Sequence, residues 1–267
     1  MSKLHTFVVL AYKESDKLEE CIKSVLNQSK KTNVVIATST PNKHIDKLAK
    51  KYKLEIKKNP NPGKGIGYDF DFASNCVDSE LITIAHQDDI YEKEYAEKVI
   101  EMYKKFPKAT IIFTDYYEIK GNKKEYTNTN LKIKRILLFP LRFNRISKFK
   151  FIKRSALRFG TAIGCPAVTF VTKNVPEDKF KCELKSNVDW YAWEKLSKLK
   201  GNFIYIKEKL MGHRISEETT TTAIINDGIR TKEDLIMFKK FWPTPIAKLI
   251  NKFYSLAEKN NSSKEQI

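Results

Sequence analysis

The run Leu81-Ile-Thr-Ile-Ala-His-Gln-Asp-Asp-Ile-Tyr91 passes from strand-forming apolar residues directly into a histidine and two adjacent carboxylates. A strand of that composition is covered on both faces, so charge is tolerated only at its end. Open α/β sheets have this property, and they bind ligands outside the carboxyl ends of their strands. Neighbouring carboxylates repel each other unless solvent or a cation separates them, and hard cations such as Mg²⁺ and Mn²⁺ take oxygen ligands. His86, Asp88 and Asp89 therefore read in one of two ways: a metal site for a phosphate-bearing ligand, or a solvated turn capping a helix over Tyr91–Phe106.

The first half of the chain supplies the partners such a strand needs. Thr6–Ala11 is a second unbroken apolar run, and Leu18, Cys21, Ile22, Val25 and Leu26 follow at helical spacing behind a cap at Ser15 or Asp16. Val34–Ala37 and Leu54–Ile56 read as strands, with a helix through Ile45, Leu48, Ala49 and Tyr52 between them. The loop Asn59–Gly67 leads into a helix from Tyr68 to Cys76, and Ala96, Val99, Ile100 and Tyr103 mark the next helix. This alternation predicts an α/β fold with a doubly wound, mostly parallel sheet.

Thr110–Tyr116 and Ala167–Thr172 read as further strands, Asp189–Leu199 as a helix, and Phe203–Ile206 and Lys209–Arg214 as two short strands. Past Gly228 the pattern is helical. Leu235–Trp242 ends at Pro243-Thr-Pro245, and Ile246, Leu249, Ile250, Phe253, Tyr254 and Ala257 then trace one helical face before a frayed tail after Asn260. A main domain over residues 1–228 with a helical appendage over 229–267 is the organisation expected.

The four cysteines, Cys21, Cys76, Cys165 and Cys182, are far apart and form no C-x-x-C pair, which points to a reducing compartment and away from zinc. The first residues lack a signal-peptide h-region, and no apolar run approaches the ~20 residues that span a bilayer. A cytoplasmic protein is expected. Fifty Lys+Arg against 32 Asp+Glu leave a formal charge of +18, which calls for an anionic partner. No helix-turn-helix, zinc-finger or RRM-like signature supports nucleic acid.

The charge concentrates instead in an insert of about residues 131–158, where Lys132, Lys134, Arg135, Arg142, Arg145, Lys148, Lys150, Lys153, Arg154 and Arg158 alternate with Leu, Ile and Phe and with no acidic residue. Basic amphipathic segments of this kind lie in the membrane interface. The expectation is that the insert and the Ile246–Ala257 helix dock the protein on the inner face of an anionic membrane. The alternative is that both apolar faces pack on the domain.

The glycines at 63, 65 and 67 are spaced G-x-G-x-G and follow the third strand, which does not make a dinucleotide fingerprint. They read as a flexible turn, or as a loop whose backbone and Lys64 approach a nucleotide.

Together, Phe7–Glu14, Leu18–Gln28, the Gly63–Gly67 loop, the strand ending His86-Gln-Asp-Asp89, Val188-Asp-Trp190 and His213–Thr220 resemble the family 2 glycosyltransferases, which have the GT-A fold. The resemblance implies an inverting enzyme that moves a hexose from a nucleotide sugar, expected to be UDP-linked, to a saccharide or lipid-linked saccharide acceptor. It also implies a Mn²⁺ or Mg²⁺ cofactor. Ala11, Tyr12 and Glu14 would line the base and ribose pocket together with Thr38, and Lys64, Gly65 and Asp69 would close over it. His86-Gln87-Asp88 takes the place of the family's D-x-D motif, with Asp88 as metal ligand and Asp89 behind it.

By the same resemblance Asp189 is the catalytic base, and His213 and Arg214 contact metal or diphosphate. His86 departs from the family's first Asp, although an imidazole can still bond a ribose or ligate Mn²⁺. Ala37-Thr38-Ser39 stand where acidic residues usually read the base. By position alone Asp189 reads first as a carboxylate stabilising a helix N-terminus. Trp190 and Trp193 stack on sugar or pack in the core, and His5 and His44 read as surface or strand-edge residues. Glu217 and Glu218 read as capping or solvated loop residues. A basic nucleic-acid-binding protein and a non-catalytic GT-A domain are the rival readings.

Overall fold

The computed structural model describes residues 3–215 and 228–264, with side chains as far as Ser255. The apolar runs become interior strands because helices cover them on both sides. The order is β1 (Lys3–Ala11), α1 (Leu18–Leu26), β2 (Asn33–Thr38), α2 (Lys43–Tyr52), β3 (Glu55–Lys58), α3 (Ile66–Asn75) and β4 (Ser79–His86). β1 pairs in parallel with both β2 and β4, and β2 pairs in parallel with β3. Phe7, Val8 and Val9 on β1 are completely buried, as a central strand sandwiched between helices requires.

The chain continues through β5 (Ile90–Tyr91), α4 (Tyr95–Lys105), β6 (Ile111–Lys120), β7 (Lys123–Glu125), α5 (Thr129–Leu137), α6 (Lys150–Ser155), β8 (Val168–Val171), α7 (Val188–Ser197) and β9 (Phe203–Ile215). Two helices, α8 (Ile229–Lys239) and α9 (Thr244–Lys264), end it. The sheet runs β3-β2-β1-β4-β8-β6-β9-β5, with β7 beside β6. The doubly wound, mostly parallel sheet is present, but β8 is antiparallel to both β4 and β6.

Several local expectations change. The two short strands expected after Phe203 are one strand, because the interruption at Lys207–Glu208 is a bulge: Thr114 faces Ile206, and Asp115 already faces Lys209. Ile90 and Tyr91 pair with Gly212 and Met211 rather than opening a helix, and that helix begins at Tyr95. No side chain caps α1; the Ser15 hydroxyl accepts from the Lys17 amide at 3.2 Å. The last helix continues to Lys264, past the expected fraying at Asn260.

His5 is no surface residue. It is buried on β1, bonded to the Thr83 hydroxyl at 2.9 Å, and burial pushes its pKa down to about 3. His44 is half-buried on α2, 3.0 Å from the Ser15 carbonyl. Trp190 and Trp193 are fully buried and bond the Leu157 and Ile163 carbonyls, which takes them away from any sugar. Trp190 meets Phe238 of α8 edge-on at 5.1 Å, and Ala247 of α9 shares that cluster.

The basic insert divides between packing and exposure. Leu131, Leu138, Leu141 and Leu157 are buried, while Ile133, Ile136, Phe139, Phe143, Phe149 and Phe151 are exposed. On α9, Ala247 is buried and Ile250 and Tyr254 pack on the domain, while Ile246, Leu249 and Phe253 face outward. No helix among the described residues is long and apolar enough to cross a membrane.

β9 carries Gly212 where a Cβ would lie 2.7 Å from the ring of fully buried Tyr117. Gly212→Ala is expected to cost about 1–3 kcal/mol by overpacking. Urea unfolding monitored by tryptophan fluorescence measures this; an unchanged midpoint would show that the β6–β9 contact yields freely.

Candidate active site at the carboxyl edge of the sheet

The parallel pairing places the ends of β1, β2 and β4 side by side: Leu10 lies opposite both Ala37 and His86, and Ala11 opposite Thr38. Ala11 is buried, and the chain beyond it is held open by a side-chain clamp. Gln87 accepts from the Tyr12 amide at 2.9 Å and donates back to the Tyr12 carbonyl at 3.0 Å. The next residue, Lys13, is left-handed (φ 55°), and its amide donates to the Thr40 hydroxyl at 2.6 Å. Tyr12 and Glu14 are thereby presented to solvent at the sheet edge.

Thr38 is buried, and its hydroxyl accepts from the Thr40 amide at 3.0 Å, so it holds the turn rather than facing the edge. The acid absent after β2 arrives from α3 instead. Ser39 donates a short hydrogen bond to Asp69, and the Asn59 amide donates 3.0 Å bonds to both Ser39 and Asp69. Lys64 and Gly65 are exposed in the preceding loop, and Gly65 has a φ of 103°, which favours glycine at the start of α3. Gly67 is required by packing, because a Cβ there would lie 2.6 Å from the Phe180 carbonyl oxygen.

At the other side of the edge, Asp89 is fully buried. One of its oxygens accepts from the Arg214 amide at 2.9 Å and lies 3.1 Å from His213 Nδ1. Arg214 donates through Nε to the Asp88 carbonyl at 3.0 Å and through Nη2 to Glu20 at 2.7 Å, so its guanidinium locks the turn. Burial lowers the His213 pKa, but the charge and hydrogen bond of Asp89 outweigh it and hold the imidazolium above its usual range. Burial, then the neighbouring Asp89 charge, raises the Asp88 pKa. His86 stacks on Phe70 at 5.2 Å and is kept neutral by burial.

Among the described residues no three His, Cys, Asp or Glu side chains converge as a closed metal site. The donors fit an open site. Asp88 offers a carboxylate, and His213 has Nε2 left over once Nδ1 faces Asp89. Mg²⁺ and similar hard cations in phosphate-handling sites take one or two protein ligands and complete their shell with phosphate and water. Among the described residues, His86 Nε2 and Asp89 Oδ2 are buried without a hydrogen-bond partner, so this side of the edge has polar capacity to spare.

Asp189 lies at the start of α7, where it accepts from the Trp190 amide at 2.6 Å. Burial raises its pKa, opposed by that amide and then by the charges of Arg230, Lys134 and His86. Lys134 is the site residue that sequence patterning does not single out, since it is one of many cations in the insert. It donates to the Tyr116 hydroxyl at 2.6 Å, and the Tyr116 ring meets His213 edge-on at 6.0 Å. Its charge acts on both Asp189 and His213. Of the segment expected to continue the site past His213, residues 216–220 lie outside the described residues, Glu217 and Glu218 among them.

A parallel half-sheet continued by an antiparallel strand, with carboxylates and cations gathered at its edge, defines a GT-A-type fold. Residues 6–161 match the family model Glycosyl transferase family 2, more than half of the chain, and the protein belongs to that family. It is a glycosyltransferase of the family 2 type. No curated protein matches the chain in sequence.

Solved structures match its fold. The S. aureus TarS fragment 1–349 in complex with UDP-GlcNAc has a TM-score of 0.67 at 12% identity, covering 93% of this chain and 70% of that one. The mannosyltransferase PcManGT from Pyrobaculum calidifontis in complex with GDP-Man and Mn²⁺ has a TM-score of 0.58 at 12% identity, over 96% and 70% of the two chains.

If Asp89 holds His213 in place and charged, Asp89→Asn leaves burial as the dominant influence. The His213 pKa should then fall from above 6.5 to below it. Histidine ring resonances followed by NMR through a pH titration report this directly; an unshifted His213 would remove Asp89 from that role.

Proposed function

We propose that this enzyme transfers a hexose, with inversion, from a UDP-sugar to a hydroxyl of a saccharide acceptor, with Asp189 as general base. The observation that carries this is the position of Asp189: a carboxylate with a raised pKa, electrostatically coupled to His86 at the β4 end and to Lys134 beside His213. A general base works best when its pKa approaches the operating pH. Burial moves Asp189 in that direction.

Donor recognition is assigned to the β1–β2 side. The Asp69 carboxylate, steadied by Ser39 and Asn59, is an acceptor suited to the imide N–H of uracil. Tyr12 and Glu14 flank the ribose, and Lys64 faces the phosphates from its mobile-capable glycine loop. TarS in complex with UDP-GlcNAc supports a UDP donor, whereas the mannosyltransferase complex with GDP-Man keeps guanine in the comparison.

Breaking the anomeric bond leaves negative charge on the diphosphate. The His213 imidazolium and the Lys134 ammonium stabilise that charge where it develops. Mn²⁺ or Mg²⁺ held by Asp88 and His213 would supply Lewis-acid neutralisation of the same diphosphate. Asp189 takes the acceptor proton as the acceptor oxygen attacks from the face opposite the leaving group. His213 serves the diphosphate as a cation when protonated and the metal as a ligand when neutral.

Asp189→Asn is expected to lower turnover about 10²–10⁴-fold. Its melting temperature should hold or rise, since the buried charge is removed. With Asp189 ionised and His213 acting as the cation, kcat/KM should fall as pH drops through the raised Asp189 pKa and, without metal, as pH rises through the raised His213 pKa; a metal bound to neutral His213 removes the second limb. Radiolabelled sugar transfer over a pH series checks both limbs, and Asp189→Asn should lose the acid limb.

A thermal-shift panel of UDP- and GDP-sugars with and without Mn²⁺ tests the donor, because a ligand of the native state raises apparent stability. The expected result is a UDP-sugar shift that Mn²⁺ enlarges and Asp88→Ala abolishes. A shift by GDP-sugars alone would overturn the UDP assignment, and undiminished transfer by Asp189→Asn would overturn the base.

A further inference from the structure

We propose that the exposed face of the insert around residues 139–151 docks this enzyme on an anionic lipid bilayer, with its phenylalanines in the interface and its arginines and lysines at headgroup level. Packing explains only part of the insert. Lys134 bonds Tyr116, Arg135 pairs with Asp115, Lys153 donates to the Leu199 and Gly201 carbonyls, and Arg154 pairs with Glu194. Arg142, Arg145, Lys148 and Lys150 remain exposed, with no salt bridge among the described residues.

The apolar residues beside these cations are as exposed. Phe139 and Phe143 are 54% and 55% accessible and meet edge-on at 5.8 Å; Phe151 is 70% accessible and stacks near Phe149 at 6.1 Å. The Arg142 guanidinium sits over the Phe139 ring at 5.9 Å, and the Lys148 ammonium over Phe149 at 5.3 Å. Arg142 and Arg145 flank an open depression of about 470 Å³ that Phe143 and Ile146 also line. Bulky apolar groups beside cations that lack a salt bridge among the described residues suit a headgroup region, where rings enter the acyl boundary and the cations meet anionic lipid.

The charge pattern selects this occupant over others. No acidic residue lies between Tyr126 and Pro176, so a second copy meeting this face symmetrically would set cation against cation with no counter-charge from the insert. Nucleic acid would use the cations and could stack on the rings, but it gives no reason for Ile133, Ile136 and Ile146 to be exposed beside them. A lipid interface accommodates aliphatic and aromatic side chains alike.

The test is sedimentation of the full chain with vesicles of phosphatidylcholine alone or mixed with phosphatidylglycerol, in low and high salt. Binding is expected only with phosphatidylglycerol, weakening as salt rises. Phe139→Ser/Phe143→Ser/Phe151→Ser and, separately, Arg142→Gln/Arg145→Gln should each reduce binding about tenfold or more. The altered side chains are exposed, so melting temperature and the nucleotide-sugar shift should be unchanged; the docking result thus stands or falls apart from the proposed catalysis.

No binding to either vesicle, or binding that both variants retain, would overturn the proposal. So would a concentration-dependent dimer, or an oligonucleotide complex without vesicle binding, that the same variants abolish.

Discussion

The buried carboxylate of Asp89 is the interaction on which the site depends. It sits just past the end of β4, yet both groups it binds, His213 and the Arg214 amide, belong to the far end of β9. Those strands are not neighbours in the sheet; β8 and β6 lie between them. Asp89 therefore closes the edge of the sheet across that gap, with β5 pairing to β9 and Arg214 returning to the Asp88 carbonyl as further ties. A fully buried carboxylate is tolerated only when it is paired and hydrogen-bonded. Here its partners are groups of β9, so the requirement for neutralisation fixes how β9 meets the end of β4.

That division of labour also sorts the two adjacent aspartates. Asp89 is spent on structure, and Asp88 is left half-buried with a pKa raised first by burial and then by the Asp89 charge beside it. A like charge held in place makes the outer carboxylate a better partner for a proton or a cation. His86 behaves differently from an aspartate at the same position: stacked on Phe70 and buried, it stays neutral and adds no third negative charge.

The parallel half of the fold was legible in the sequence because its strands are unbroken apolar runs ending in polar turns, and β1, β2 and β4 end at one edge as a result. Contacts built by distant residues were not legible. Asp69 lies on α3, and only the fold shows that it meets Ser39 where the second strand lacks an acid. The bulge in β9 hides one long strand behind two charged residues, Lys207 and Glu208, and β5 is too short to carry a period of its own. The roles of Asp88 and Asp89 look alike in a sequence of two carboxylates; burial separates them. Lys134 was hidden by its company, since a lysine among many basic residues looks like surface charge until its bond to Tyr116 is seen.

The formal charge of +18 thus answers two different needs. Cations that face inward serve the fold: Lys153 caps backbone carbonyls with its pKa lowered by burial to about 8, Arg154 neutralises buried Glu194, and Lys134 bonds Tyr116 beside His213. Arg142, Arg145, Lys148 and Lys150 on the outward face have no salt bridge among the described residues and stand among exposed rings. Both sets belong to one continuous stretch, because α5 carries Lys134 and the exposed phenylalanines follow it directly. If the proposed docking and the proposed role of Lys134 both hold, an acceptor at a lipid surface meets the segment that carries Lys134. Buried Leu131 and the Lys134–Tyr116 bond anchor α5 to the sheet, and exposed Phe139 stands two residues beyond its end.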